Sequence, residues 1–485
     1  MTMQSSGSFK VSPRQEGIWL SQKFAPDVSN IIGGRWIIDG ELDVETLVRT
    51  LQKVFSEHST ALVNFIETGD GLRQVVRDIG DWAPFVIDVR GEGDPEAAAR
   101  VLVAGLEGEP FDFQCDLLFR AGVLKLGESR FMLAIVIHHV VTDGYGMFRL
   151  LTRRINDVYA ALKHGTPMPE LMSAGPEQIN EDDARYYGSA EYQEDMTYWR
   201  NYLEDLPPAG RLQGERSSDT PAALRRVMNV DRGEMARWVD VANSIGVSAP
   251  TLLTAAMAAF FRHQGNPEEF TLSTPVASRA GALRNTYGMR ANIVPLRVRV
   301  PLSSSFTEVA REVAAEMKAG IQHSAYEVAA IRRGSAIDGS IASSPFGTCV
   351  NVLPFVTGME FDNCTTAWDG CSPGVTDELM IIMYYDSRVV GDLQISFEGN
   401  GLHYSDADLK RFSSQFLEFV RALVVDPRVL VGRVGVLGSV ERERLVAVND
   451  TSVPVVGASV VELFARQVGL SADVVAVVCD GEEAS

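Results

Sequence analysis

The sequence predicts an α/β protein built as two lobes, each a sheet covered by helices. Three observations carry this reading. Apolar residues alternate between helical spacing and short strand-like runs through residues 44–162. The same alternation restarts near residue 195. Between the halves, residues 165–181 hold Pro167, Pro169 and Pro176 and show little periodicity. At 485 residues the chain is too long for one ordinary core, so two or three folding units are expected.

Taken in order, residues 44–55 place Val44, Leu47, Val48, Leu51, Val54 and Phe55 on one helical face, and 97–106 read the same way. Residues 123–126 and 131–138 are strand-like and joined by Gly127-Glu128-Ser129-Arg130, a hairpin signal. The second run, Phe-Met-Leu-Ala-Ile-Val-Ile, is apolar throughout, as expected of a strand covered on both faces. From 147 to 162 the apolar residues Phe148, Leu151, Ile155, Val158, Tyr159 and Leu162 return to helical spacing, and Gly165 is the stop signal. The second half predicts helices over 195–206, 248–262, 306–323 and 406–423. Its strands are expected over 270–274, 292–300, 347–353, 380–385 and 393–397.

Beyond residue 426 the character changes. Residues 427–454 read as a connector, 459–468 as a first new helix and 474–478 as a strand, so a further domain begins here without being finished. The expected organisation is an N-terminal lobe over 1–175, a C-terminal lobe over 176–435, a linker over 436–455 and the start of another domain over 456–485.

Composition narrows the function. Hydrophobic residues make up 46% and charged residues 22%, as in globular proteins. No apolar run is long enough to span a bilayer, and residues 1–12 lack a signal core, so a cytoplasmic location is expected. The net charge of −20 repels phosphate and argues against nucleic acid or an anionic membrane as a partner. Cys115, Cys349, Cys364, Cys371 and Cys479 form no CxxC pair or zinc spacing and read as reduced packing residues.

The sharpest local feature is His138-His139-Val140-Val141-Thr142-Asp143-Gly144, an HHxxxDG string whose chance occurrence in a chain this size is about one in a thousand. A buried strand delivers both histidines to its end, and a loop carries Asp and Gly into a helix. Adjacent strand residues point to opposite faces, so one histidine is expected to work and the other to support packing. The diverging pair, with no third ligand at useful spacing, argues against a metal. Asp143 either orients an imidazole, as in a triad, or makes a buried salt bridge; the neighbouring glycine, implying special backbone geometry, favours the salt bridge. No serine nucleophile elbow, P-loop or Gly-rich dinucleotide fingerprint is present, which argues against hydrolase, ATPase and Rossmann readings.

With these residues in hand the sequence resembles the condensation domains of nonribosomal peptide synthetases, relatives of chloramphenicol acetyltransferase, from about residue 9 to 435. Ser12-Pro-Arg-Gln15-Glu-Gly-Ile-Trp19 resembles the opening SxxQxxxW motif. Pro275-Val-Ala-Ser-Arg279 resembles the segment whose arginine pairs with the Asp of HHxxxDG. Gly288-Met289-Arg290-Ala291-Asn292-Ile293-Val294-Pro295-Leu296-Arg297 is similar to GxxxNxxPLR. His323-Ser-Ala-Tyr326-Glu327 and Val350-Asn351-Val-Leu-Pro354-Phe355 match two later motifs in order. The sequence departs at residues 62–64, which lack a customary arginine, and at Thr142 and Gly146, where serines are common. The block from Tyr187-Gly-Ser189 through Asp195 to Tyr198-Trp199, with Gly288-Met289 and residues 351–355, is more similar to the starter and amino-acid-modifying branch.

The resemblance implies two chloramphenicol-acetyltransferase-like lobes in a V-shaped pseudodimer with a central tunnel. It implies an acyltransferase that forms an amide between a donor acyl or aminoacyl thioester and the α-amine of an acceptor aminoacyl thioester. His139 is then catalytic, and His138, Asp143, Gly144 and Arg279 support it, with Arg279 as the partner of Asp143. Gly144 lets the backbone approach the reacting centre, and Asn351 either lines the tunnel or makes a turn hydrogen bond. The chain needs no cofactor or metal of its own, because phosphopantetheine arrives on carrier proteins. The implied partners are an upstream donor carrier in trans, a downstream acceptor carrier and an adenylation domain in cis that begins at 456–485. Arg149, Arg153 and Arg154 either contribute a carrier-docking face or form a solvated helix face. The alternatives are an amino-acid-modifying, for example dehydrating, condensation domain and a noncatalytic carrier-docking module. A soluble acyl-CoA acyltransferase shares HxxxDG but leaves the adenylation-like segment unexplained.

Overall fold

In the computed structural model the described residues are 7–24, 26, 30–327, 346–370, 376–388, 392–452 and 457–485. Cys371, residues 453–455 of the expected linker and residue 456 lie outside them. The chain divides into two compact units, Met1–Val436 and Leu437–Ser485.

The first half of the larger unit runs β1 (Ser8–Lys10), α1 (Pro13–Phe24), β2 (Ile31–Gly40), α2 (Val44–Glu57), β3 (Val63–Thr68), β4 (Gly71–Val76), β5 (Phe85–Asp88), α3 (Pro95–Gly108), β6 (Phe119–Lys125), β7 (Arg130–His138) and α4 (Thr152–His164). Its second half runs α5 (Pro176–Tyr187), α6 (Ala190–Glu204), β8 (Ala223–Val230), α7 (Arg232–Ser244), α8 (Ala249–His263), β9 (Glu269–Val276), β10 (Asn292–Arg299), α9 (Phe306–Gln322), β11 (Cys349–Leu353), β12 (Cys364–Gly370), β13 (Leu379–Tyr384), β14 (Leu393–Asn400) and α10 (Asp406–Val425). The smaller unit holds α11 (Ser439–Asn449), α12 (Val460–Leu470) and a two-stranded ribbon of β15 (Val477–Cys479) and β16 (Glu482–Ala484).

β7 is the strand that delivers the site. It pairs antiparallel with β2 on one side and β6 on the other, in a sheet ordered β12-β2-β7-β6-β5. Phe131, Leu133, Ile135 and Ile137 pack into a core with Leu47, Leu51 and Phe55 of α2 and Ile155 and Val158 of α4. Met132 and Ala134 point the other way, against Ala99 and Val103 of α3. Both faces are covered, which is why the run needed no polar positions. After the strand, Gly146–Leu151 forms a π-helical turn that leads into α4, and α4 stops where Gly165 adopts a left-handed φ of 62°.

The second sheet is ordered β10-β9-β11-β13-β14-β8, with α7, α8, α9 and α10 supplying Trp238, Phe260, Val309 and Phe416 to the core on one face. Its other face meets the first lobe: Leu353, Ile382 and Tyr384 belong to the core that holds β7. The division at 175/176 misses one strand. β12 lies in the second half of the sequence but pairs antiparallel with β2 of the first sheet, where Trp368 packs edge-on against Trp36 and Phe148. No local pattern could reveal this, because strand pairing across more than 300 residues leaves no signal in either segment alone.

Candidate active site

β7 ends at His138, and the next residues turn away under several restraints. The His139 backbone N–H donates to the Asn30 carbonyl at 2.7 Å, and the His138 N–H donates to Leu118 O at 2.9 Å. Gln15 of α1 donates from Nε2 to the Val140 carbonyl at 3.3 Å, while its own Oε1 accepts from the Ser12 N–H at 3.0 Å. The opening motif thus braces the histidine loop, a role that sequence reasoning missed. Its only signal was the spacing of Ser12 and Gln15, which fits a helix start.

The two histidines differ in their surroundings, although His139 already lies in the turn beyond the strand. His138 is buried edge-on against Phe113 at 4.8 Å between ring centroids, and its Nδ1 accepts from the Val140 N–H at 3.1 Å. Burial, with a smaller contribution from His139, pushes its pKa down to about 3. His139 is less deeply buried than His138 as a whole residue, although its titrating ring lies deep in the fold. Its Nδ1 is buried; the backbone of His139 and Thr142 lies beside it, but no hydrogen bond of normal geometry reaches it. Burial outweighs the nearby Asp143 carboxylate and lowers the His139 pKa below its ordinary value.

Asp143 is fully buried and saturated. Oδ1 accepts from Arg279 Nη2 at 2.8 Å and from the Gly146 N–H at 3.0 Å; Oδ2 accepts from the Arg290 and Ala291 N–H groups at 2.8 and 2.7 Å. Burial opposes its charge, but Arg279 and these donors hold the carboxyl below the usual range. Arg279 is held in turn by donating to the carbonyls of Ala277, Thr286 and Gly288. An aspartate with four donors in place has no lone pair aimed at His139.

Gly144 requires a correction. Its φ is not left-handed, and among protein atoms a Cβ there would meet only Leu353, at an ordinary 3.5 Å, so special backbone geometry does not explain it. The demanding position is Gly146, where a Cβ would lie 2.5 Å from both Thr142 Oγ1 and the Tyr287 carbonyl. Asn351 stands in the middle of β11 opposite Ile382, half-buried, and its side chain makes no hydrogen bond to a described residue. It shares a strand face with Leu353, which packs in the core of the first lobe, so it faces that lobe. Among the described residues no turn hydrogen bond from its side chain is seen.

The arginines after the motif also separate. Arg154 is buried and bonds Glu57 through Nε and Nη2 at 2.9 and 2.8 Å, which removes it from both the docking face and the solvated face. Arg153 faces Asp157 at 3.8 Å, and Arg149 Nη1 reaches Thr357 Oγ1 at 3.5 Å. At residues 62–64, where the customary arginine is missing, Arg77 arrives from beyond β4 and donates to Asn64 Oδ1 at 3.4 Å.

The remaining motifs meet on the far side of Arg279. Arg14 pairs with Glu327 at 3.2 Å and donates to the Ser324 and Ala325 carbonyls, and Asn292 donates to Ser324 O. Asp195 accepts from Tyr186 and faces His323 Nδ1, each at 2.7 Å. Beside this network lies a cavity of about 820 Å³ lined in part by Arg14, Tyr187, Arg279, Arg290 and Val352. His139 is not among its lining residues. Among the described residues no cluster of His, Cys, Asp and Glu could hold a metal ion, and no single helix is long and apolar enough to cross a membrane.

The comparisons agree with this geometry. The condensation-domain family model matches residues 5–446. A dimodular nonribosomal peptide synthase of Bacillus subtilis is 26% identical over 475 residues, covering 97% of this chain but 20% of the relative's own length. Among solved structures, a mutant of the starter condensation domain of rhizomide synthetase in complex with C8-CoA superimposes with a TM-score of 0.81 at 27% identity, covering 89% of this chain and 98% of that one. The first condensation domain of the calcium-dependent antibiotic synthetase, in complex with a substrate analogue, gives 0.80 at 25% identity, covering 90% and 100%. Family match, two-lobed fold and a strand-borne HHxxxDG loop coincide: the chain belongs to the condensation-domain family of nonribosomal peptide synthetases.

Proposed function

We propose that the chain joins a donor acyl group, held as a thioester, to the α-amine of an acceptor amino acid held as a thioester on a carrier protein. The observation that carries the reading is the asymmetry at the end of β7. One imidazole is packed away against Phe113, and the other belongs to a less deeply buried residue, with its backbone pinned and its pKa lowered. A lowered pKa keeps His139 neutral near pH 7, so with the proton on the buried Nδ1, Nε2 is left as a hydrogen-bond acceptor. It then takes a hydrogen bond, and in the transition state a proton, from the attacking amine. Asp143 and Arg279 hold the loop, and His138 packs it. Asn351 contributes a polar amide to the space facing the first lobe.

The chemistry asks little of a base. The thioester is already activated, and an α-amine of pKa about 7.7–8.0 is partly neutral at physiological pH. Holding both reactants together removes up to about 7–11 kcal/mol of the barrier, against about 3–5 kcal/mol for a positioned imidazole, so placement dominates and His139 assists. Both reactants ride on phosphopantetheine arms of partner carrier proteins, an upstream donor and a downstream acceptor. The likeness to a starter domain solved with C8-CoA favours an acyl donor over a peptidyl one.

Intact-protein mass spectrometry of the acceptor carrier tests this. The chain is mixed with aminoacyl-loaded acceptor carrier and a panel of acyl- and aminoacyl-loaded donor carriers. The expected result is a mass gain on the acceptor equal to the donor acyl group. A further loss of one water would assign the modifying chemistry instead, and no gain with any donor would leave only a docking module.

A further inference from the structure

Three contacts converge on one residue of the second lobe. The Tyr287 carbonyl accepts from Thr142 Oγ1, inside the HHxxxDG loop, at 2.9 Å. The same carbonyl occupies the space that Gly146 leaves by lacking a Cβ. The Tyr287 ring is buried edge-on against His58 at the end of α2, with centroids 3.6 Å apart, and belongs to the core of the first lobe together with Val140, Val141 and Met147. On either side of it the chain makes the remaining loop contacts. Arg279 donates to the carbonyls of Thr286 and Gly288, and the Arg290 and Ala291 N–H groups donate to Asp143.

We infer that Tyr287 is a positioning residue for His139: its ring anchors the second lobe in the first, and its carbonyl fixes the loop that follows the histidine. The reading rests on His139 being the working residue, but the anchoring is structural and can be measured without turnover. The backbone bonds to Asp143 depend on residues 290 and 291 arriving at one depth, and the buried ring three residues earlier sets that depth. Releasing it lets the segment 286–291 withdraw, loosens Thr142 and Asp143, and admits water to the His139 ring. The ionisable group acting on that ring is Asp143, whose charge Arg279 offsets from the second lobe.

The test is an NMR titration of the seven histidine rings in the whole chain, with the His139 signal assigned by its loss in His139→Gln. In Tyr287→Ala the His139 midpoint is expected to rise toward the ordinary value near 6.5 by at least about half a pH unit, with Tyr287→Phe restoring the original position. Thr142→Val, which removes only the hydroxyl, should shift the midpoint in the same direction by less, and serves if Tyr287→Ala does not fold. An unchanged His139 midpoint in Thr142→Val and in folded Tyr287→Ala, whatever happens to thermal stability, overturns the positioning role. Loss of the proposed amide-forming activity in His139→Ala would stand or fall separately.

Discussion

His138 and His58 are buried imidazoles, 2% and 4% exposed, whose pKa values lie near 3 because burial disfavours the charged ring. Both folded values lie below the unfolded value near 6.5, so the unfolded chain takes up protons that the folded chain refuses. Their contribution to stability is complete above pH 6.5 and is lost as the pH falls toward 3, with about 2 kcal/mol gone at pH 5 for each ring. Replacing His138 by Phe, among Phe111 and Phe113, should therefore reduce the difference in urea unfolding free energy between pH 7 and pH 5 by about 2 kcal/mol. An undiminished difference would mean that His138 titrates normally. At the same scale, the HHxxxDG string was legible because its residue types are rare in that order. Arg279, 136 residues away, was found only through the resemblance to a family. Gly144 misled: a glycine in a loop suggests strain, but the space-limited glycine is two residues later, and only the neighbouring carbonyl of Tyr287 reveals it.

Elements with strong periodicity or unbroken apolar character, such as β7, α2 and α8, follow from their own residues. α1 did not, because its buried residues are Arg14 and Gln15, which read as surface until their partners are known. β12 did not either, because its partner strand lies in the other half of the chain. That strand ties the lobes together through Trp368, which meets Trp36, Phe148 and Tyr384 and donates from Nε1 to Gln394. Trp368→Ala should cost about 2–3 kcal/mol, below the range for a fully enclosed tryptophan because the ring is half-buried. Denaturant unfolding measures it; a loss under about 0.5 kcal/mol, the scatter of surface substitutions, would mean that β12 contributes little to the joint.

At the scale of the whole molecule, the HHxxxDG loop belongs to neither lobe alone. β7 of the first lobe presents it, while Arg279, Tyr287, Arg290 and Ala291 of the second hold it. A net charge of −20 adds a constraint on partners: an acidic carrier can dock only where basic side chains are locally in excess. In the proposed reaction the meeting of two tethered reactants supplies the larger part of the rate, with one imidazole adding a smaller chemical term. The direct measurement is single-turnover amide formation by His139→Ala beside the unaltered chain, with both carriers loaded. The account predicts a rate lower by about 10²–10⁴-fold in a variant that still folds. A rate equal to that of the unaltered chain would contradict it.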